Sequence, residues 1–249
     1  MNDESEKVLK NASDLCSDER ELEAEVLLTE QLAIDPDNLE IMTMLGEVQA
    51  HLCNDSQAEA TLRAVLIRDP DYEDAVSALG ALLDQSLRTE EAEKLYREFL
   101  LRNPAGHRAL EGLCRLLISE DRSGDALQLA RKQVVEFEDD FDAYKPIIYV
   151  LEILEDDLES ALLEDWNDQT TLSAYLDNLL EQLEITLKLE NFEVASEDFI
   201  CELQDEKSRL VCEIDQLFEQ AASRSITISS DLKEQISSIL RIVRNESQN

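Results

Sequence analysis

Residues 39–72 read LEIMTMLGEVQAHLCNDSQAEATLRAVLIRDPDY, and residues 73–106 read EDAVSALGALLDQSLRTEEAEKLYREFLLRNPAG. Aligned at 34 residues, Leu45-Gly46 becomes Leu79-Gly80, Ala58 becomes Ala92, and Asp69-Pro70-Asp71 becomes Asn103-Pro104-Ala105. The register runs outward in both directions. Asp35-Pro36-Asp37 closes the unit before, and Leu113-Cys114 and Ala126 continue the pattern in the unit after. A fixed period of this length is the signature of a helical solenoid, in which each unit buries its apolar face against its neighbours.

Within a unit the apolar residues fall at helical spacing in two runs. In the second unit a first helix is expected over Glu40–Leu52, with Met42, Leu45 and Val48-Gln49 on one face. A second is expected over Ser56–Ile67, facing the first with Leu62, Val65 and Leu66. In the third unit Val76, Leu79 and Leu83 oppose Ala92, Leu95-Tyr96 and Phe99; in the fourth, Leu110, Leu113 and Leu117 oppose Ala126, Leu129-Ala130 and Val134. Gly46, Gly80, Ala58, Ala92 and Ala126 mark the points where paired helices cross closely. The residue before a proline avoids helical backbone, so each second helix stops at Asp35, Asp69 or Asn103. Asp37, Asn38 and Asp71 then stand where a side-chain oxygen can cap the following helix.

The composition agrees. Of 249 residues 43% are hydrophobic, enough for a continuous core, and only 5 Gly and 4 Pro interrupt the chain. The net charge is −36, from 58 acidic against 22 basic residues. Such a surface repels nucleic-acid phosphates and anionic lipid and attracts basic protein or peptide. Equally, it suits a protein kept soluble at high salt, and the composition alone leaves both readings open. The cysteines (Cys16, Cys53, Cys114, Cys201 and Cys212) are odd in number and widely spaced, which argues against a disulfide framework or a zinc site. They read as small buried hydrophobes in a reducing compartment. The N-terminal run MNDESEKVLKN is acidic and lacks the apolar stretch of a signal peptide, and no segment is apolar enough to cross a bilayer. A cytoplasmic location is expected.

The 34-residue period, the Leu-Gly pair, the small residue twelve positions later and the proline another twelve on resemble the tetratricopeptide repeat family. The resemblance is specific for units 39–72 and 73–106. In 107–140 Glu138 replaces the expected proline. In 5–38 Asn11-Ala12 replaces Leu-Gly, while Ala24 and Pro36 fit. Residues 141–163 read as a degenerate fifth unit or a capping helix, with Tyr144, Ile147, Ile148 and Leu151 at its first-helix positions. The resemblance implies an all-α, right-handed superhelical solenoid of antiparallel helix pairs over residues 1–154, followed by an acidic helical capping or bundle region over 155–249.

The resemblance also implies a binding role. Members bind an extended peptide or partner helix on the surface lined by each first helix, and are rarely enzymes. Carried onto this chain, that surface presents Glu40, Thr43, Glu47 and His51, then Asp74, Ser77, Ala81 and Asp84, then Arg108, Glu111 and Arg115. The subclass that clamps chaperone C-terminal carboxylates uses Lys and Asn where this chain has Leu9, Ser13, Met44 and Ala78, so that clamp is missing.

From Lys94 to Lys132 eight basic residues face five acidic ones, a local excess of +3. This stretch reads as a site for an acidic peptide, as a dock for the chain's own acidic tail, or as an ordinary solvated face of mixed charge. Beyond about Leu154 the period fades. Leu172, Leu176, Leu179, Leu180, Leu183 and Leu187 form one amphipathic stripe. Phe199, Ile200, Leu203, Leu210, Ile214, Leu217 and Phe218 form a second, and Leu232, Ile236, Ile239, Leu240 and Val243 a third, with breaks near 166–171 and 223–230. These faces call for burial by capping the solenoid, by bundling or by dimerisation.

No glycine-rich phosphate loop, GxSxG or HExxH occurs, and the two histidines, His51 and His107, lie 56 residues apart. No catalytic residue, cofactor or metal site is assigned. The expected function is a non-enzymatic scaffold or adaptor for a protein or peptide partner. The alternatives are an acidic chaperone for a basic client, or a regulatory or targeting subunit of an enzyme complex.

Overall fold

The computed structural model describes residues 3–166, 168–190, 197–224 and 226–246, and among these there is helix, turn and no strand. The chain divides into two compact units, Met1–Leu129 and Ala130–Asn249.

In the first unit helices alternate in pairs: α1 (Asp3–Ser17) with α2 (Glu21–Ile34), α3 (Leu39–His51) with α4 (Asp55–Arg68), α5 (Glu73–Gln85) with α6 (Thr89–Arg102), and α7 (His107–Ser119) with the start of α8 (Ser123–Glu136). From α1 to α7 each helix packs on the next in sequence. The first helices also pack on one another, α1 on α3, α3 on α5 and α5 on α7, so they form a common layer. This is the solenoid that the period predicts.

The small residues sit at the tightest crossings. Ala24, Ala58, Ala92 and Ala126, 34 apart, are fully buried. A Cβ at Gly46 would stand 2.6 Å from Leu62 Cγ, so α3 and α4 approach through it. Tyr96, 2% exposed, lies between two glycines: a Cβ on Gly80 would overlap its ring, and one on Gly112 would stand 2.5 Å from its hydroxyl oxygen. The sequence pattern identifies Gly80 but not Gly112. In the fourth unit Cys114 holds the glycine position; it is buried, and its thiol donates to the Ala126 carbonyl at 3.6 Å.

The turn inside each pair repeats as closely as the helices. Glu19, Cys53, Leu87 and Asp121, 34 apart, all have φ between 58° and 60°. After them the N–H of Arg20, Asn54, Arg88 and Arg122 reaches back to the carbonyls of Leu15, Gln49, Leu83 and Leu117 at 2.8–2.9 Å. This is the Schellman closure, which satisfies carbonyls left over at a helix end and in most proteins employs glycine at the left-handed position. None of the four residues here is glycine.

Between pairs, the helices end at Ile34, Arg68 and Arg102, where the prolines require it. Asn38 caps α3, accepting from the Ile41 N–H at 3.1 Å. Asp71 does not cap α5. Its carboxylate instead accepts from Asn103 Nδ2 at 2.8 Å and Arg102 Nε at 3.1 Å, while Tyr72 occupies the cap position. Arginines tie unit to unit: Arg68 donates to the Pro36 carbonyl at 2.8 Å, and Arg102, 34 residues on, to the Pro70 carbonyl at 3.1 Å. On the second helices Arg88 binds Glu59 (2.7 Å) and Glu91 (2.6 Å), and Arg122 reaches Glu93 at 3.1 Å.

The second unit contains the rest of α8, a 3₁₀ turn (Phe141–Tyr144), and α9 (Lys145–Glu164), α10 (Gln169–Leu189), α11 (Glu197–Ser223) and α12 (Ser230–Glu246). Leu154, where the period fades in sequence, lies inside α9. The three apolar stripes meet in one core of Leu172, Leu176, Leu179, Leu183, Leu210, Ile214, Leu217, Leu232, Ile236 and their neighbours, so α9 to α12 form a bundle. Polar side chains fix its register. Arg209 of α11 binds Glu155 of α9 at 2.6 Å, and Gln182 of α10 donates to the same Glu155 at 2.6 Å. Lys207 pairs with Glu190 at 2.6 Å, both side chains about 15% exposed. Asp168 caps α10: the Thr170 and Thr171 donors hold its carboxyl down at about 2. Of the cysteines only Cys114 is fully buried; Cys53, Cys201 and Cys212 are exposed, against the expectation of buried hydrophobes. Cys201 and Cys212 are on α11, and Cys53 holds the left-handed turn position after α3.

Candidate functional site

A groove of about 600 Å³ crosses the layer of first helices in the first unit. From α1 it takes Glu6, Leu9, Lys10 and Ser13; from α3, Glu40, Thr43, Met44 and Glu47. Tyr72 enters from the turn before α5, Asp74 and Ser77 from α5, and Arg108 from the first turn of α7. Positions three and four apart on a helix share a face, so Glu40, Thr43, Met44 and Glu47 present one edge of α3 to the same space. The contacts of α3 with α1 and α5 then align their edges beside it.

Six of the eleven residues singled out from the sequence therefore come together: Glu40, Thr43, Glu47, Asp74, Ser77 and Arg108. Thr43 is mostly covered, its hydroxyl donating to the Leu39 carbonyl at 2.8 Å, and so shapes the floor. His51 ends α3 in solvent, and Ala81 and Asp84 lie further along α5, half-buried. Glu111 and Arg115 pair along α7 at 2.8 Å. These five do not line the groove. The α1 contribution and Tyr72 were missed as binding residues: the first unit departs most from the repeat pattern, and Tyr72 stands in a connection outside both helices.

The groove is electrostatically uneven. Arg108 pairs with Asp74, which neutralises both, and the Ala109 N–H beside it donates to Glu73 Oε1 at 3.0 Å. Glu47 makes no hydrogen bond or ion pair among the described residues. Its tip keeps a path to water, yet the flanking helices crowd it from the sides. Burial pushes its carboxyl above the usual carboxylate range and the Asp74 carboxylate adds to this, while His51 and Arg108 pull it down. Burial likewise raises the Tyr72 phenol, with Asp74 and Glu40 adding to it. A cation placed among Glu40, Glu47 and Tyr72 would therefore meet a net negative field.

Apart from Arg108, the basic stretch of Lys94–Lys132 lies outside the groove, and its arginines are already matched. Arg97 binds Glu93 at 2.7 Å, Arg102 binds Asp71 at 3.1 Å, Arg122 binds Glu93, Glu120 and Asp125, and Arg131 binds Glu181 at 2.5 Å. This is the mixed-charge face rather than an open basic site. Among the described residues no group of three His, Cys, Asp or Glu side chains converges as a metal site would require, and no helix is long and apolar enough to cross a membrane.

Residues 17–83 match the tetratricopeptide repeat family. Among solved structures, a tetratricopeptide repeat protein from Parabacteroides merdae ATCC 43184 aligns at 17% identity, covering 94% of this chain and 98% of that one, with a TM-score of 0.46. A thermophilic TPR protein of Thermus thermophilus aligns at 17% identity over 70% of this chain and 98% of that one, with a TM-score of 0.49. A Thermobaculum terrenum O-GlcNAc transferase mutant aligns at 27% identity over 51% of this chain and 26% of its own length, with a TM-score of 0.45. No curated protein matches the chain.

Proposed function

We propose, from the premise that residues 17–83 are tetratricopeptide repeats, that this protein is a non-enzymatic scaffold whose first unit holds an extended segment of a protein partner. The observation that carries the proposal is the groove, about 600 Å³, into which four successive first helices each contribute polar side chains around Leu9 and Met44. A pocket of that size takes several residues of an extended chain, anchored by a few placed polar groups beside the apolar Leu9 and Met44.

The charge favours a basic segment. Glu6, Glu40, Glu47 and Asp74 outnumber Lys10 and Arg108 in the groove, and the whole chain carries −36. A basic client would be steered in by this field and released as salt rises.

The test compares partners captured by the wild-type chain and by Ser77→Trp, which fills the groove from α5. Loss of the captured partner in the variant, with an unchanged circular dichroism spectrum, supports groove binding. Equal capture places the partner elsewhere and overturns the proposal. Repeating the capture across a salt gradient separates a basic client, which is lost, from one held by apolar contacts, which is retained.

A further inference from the structure

The second unit contains a small pocket of different character, of about 140 Å³, between α9, α10 and α11. Its walls are Leu162 and Leu163 from the end of α9, Trp166 from the turn that follows it, Tyr175 from α10, and Glu213, Gln216, Leu217 and Gln220 from α11, with Glu159 at the rim. Leu162 and Leu217 belong to the bundle core and Trp166 packs against it, so the walls are held in place by the fold itself. The volume admits one small head group; drug-sized ligands occupy about 300 Å³ or more.

The charges around it are unbalanced. The Tyr175 hydroxyl donates to Glu213, and Arg209 binds that carboxylate at 3.0 Å. Arg209 is shared, however, with Glu155 and Glu206, each at 2.6 Å, so one guanidinium serves three carboxylates. Glu159 makes no hydrogen bond or ion pair among the described residues. The negative field reaches the phenol: besides burial, Glu213, Glu155 and Glu159 all hold the Tyr175 proton on. The indole, for its part, already receives a cation, the Arg224 guanidinium 4.5 Å from the Trp166 ring centroid. An indole face with carboxylates nearby and apolar walls is the environment that binds organic cations, through the ring quadrupole and incomplete hydration.

We propose that this pocket binds the head of an organic cation, an alkylammonium or alkylguanidinium group, which takes the place of the Arg224 guanidinium on Trp166, beside Tyr175 and with Glu159 as its counter-charge. The site is separate from the repeat groove and stands whether or not that groove binds a partner. The same chemistry is offered by a free quaternary amine and by a lysine or arginine side chain of a protein.

Trp166 is the only tryptophan of the chain, so its emission and its indole N–H resonance report on the pocket directly. The probes are choline chloride, propylguanidinium chloride and 3,3-dimethylbutan-1-ol, the uncharged isostere of choline, titrated at constant ionic strength with sodium chloride. A saturable change with a cation, at least tenfold weaker with the isostere and weakened about threefold or more by Glu159→Gln, supports the proposal. Choline binding tighter than propylguanidinium indicates a free amine, and the reverse indicates a side chain. The proposal is overturned if neither emission nor the indole resonance responds saturably, if the isostere matches the cations, or if Glu159→Gln has no effect.

Discussion

Tyr96 and Gly112 are in such close register that a methyl group on the glycine would stand 2.5 Å from the phenol oxygen. The ring cannot retreat, because it is buried and its hydroxyl donates to the Ser77 carbonyl at 3.2 Å. Overpacking of this kind costs about 1–3 kcal/mol, and alanine returns about 1 kcal/mol through its better helix propensity. Gly112→Ala should therefore destabilise by up to about 2 kcal/mol, measured as a lower urea midpoint. Ala92→Leu, at a fully buried crossing, should do so by at least as much. An unchanged midpoint for Ala92→Leu would refute the close helix crossing.

The left-handed turn residues lead to the opposite prediction. Leu87 has φ 58° and is 90% exposed, so its side chain contributes almost no burial to offset an unfavourable backbone. Left-handed backbone costs a residue with a Cβ about 1–2 kcal/mol, and the extra unfolded freedom of glycine returns roughly 0.5–1 kcal/mol of that. Leu87→Gly should stabilise by about 0.5–1 kcal/mol, raising the urea midpoint without changing the slope.

The arginine ties between second helices make stability depend on pH. Glu59 and Glu91 have carboxyls held below the usual range, first by hydrogen bonds from Arg88 and then by those from Arg63. Folded carboxyls depressed below their unfolded value of 4.5 contribute stability that is complete above that pH and lost as pH falls through the folded value. Arg88→Ala should lower the melting temperature at neutral pH, less so in high salt, because the pairs are solvent-exposed. The gap between variant and wild type should narrow as pH drops below 4.5. A gap that stays constant would show that these pairs do not set the acid limb.

Glu47 has the reverse sign. Its carboxyl is raised, chiefly by burial, so its charge at neutral pH opposes folding, and that opposition is relieved as pH falls through the raised value. Glu47→Gln should raise the melting temperature at about pH 7, have little effect at about pH 4, and weaken binding of a basic partner. Stability exchanged for binding at one side chain marks a functional position. A variant that is less stable at neutral pH would remove Glu47 from that role.

How much of this was legible beforehand follows from what each feature leaves in the chain. The helix pairs, their ends at Asp35, Asp69 and Asn103, and the crossings at Gly46 and Ala58 were readable because proline and small residues act locally. The left-handed turns were not: Glu19, Cys53, Leu87 and Asp121 carry no residue-type signal, and only their common spacing betrays them. Gly112 was passed over because it lies two positions ahead of the repeat's glycine, where Tyr96 of the preceding pair inserts. The groove was half legible. The α3 and α5 residues follow from repeat register, whereas Glu6, Lys10 and Tyr72 converge only through packing. The three apolar stripes beyond residue 154 were visible, but which side chains fix their register, as Glu155, Gln182 and Arg209 do, depends on distances that no spacing encodes.

The contacts of Arg68 with Pro36 and of Arg102 with Pro70 each span 32 residues. They act as a length gauge. Substitutions between the two ends leave the gauge intact, but one inserted or deleted residue in a helix rotates the arginine by about 100° away from its carbonyl. The connecting turns are fixed as well, by the left-handed closure at one end and the proline at the other. An array built this way changes length in steps of a whole unit: sequence drifts freely within a repeat, while gain and loss of residues are confined to duplication or excision of one complete period at a time.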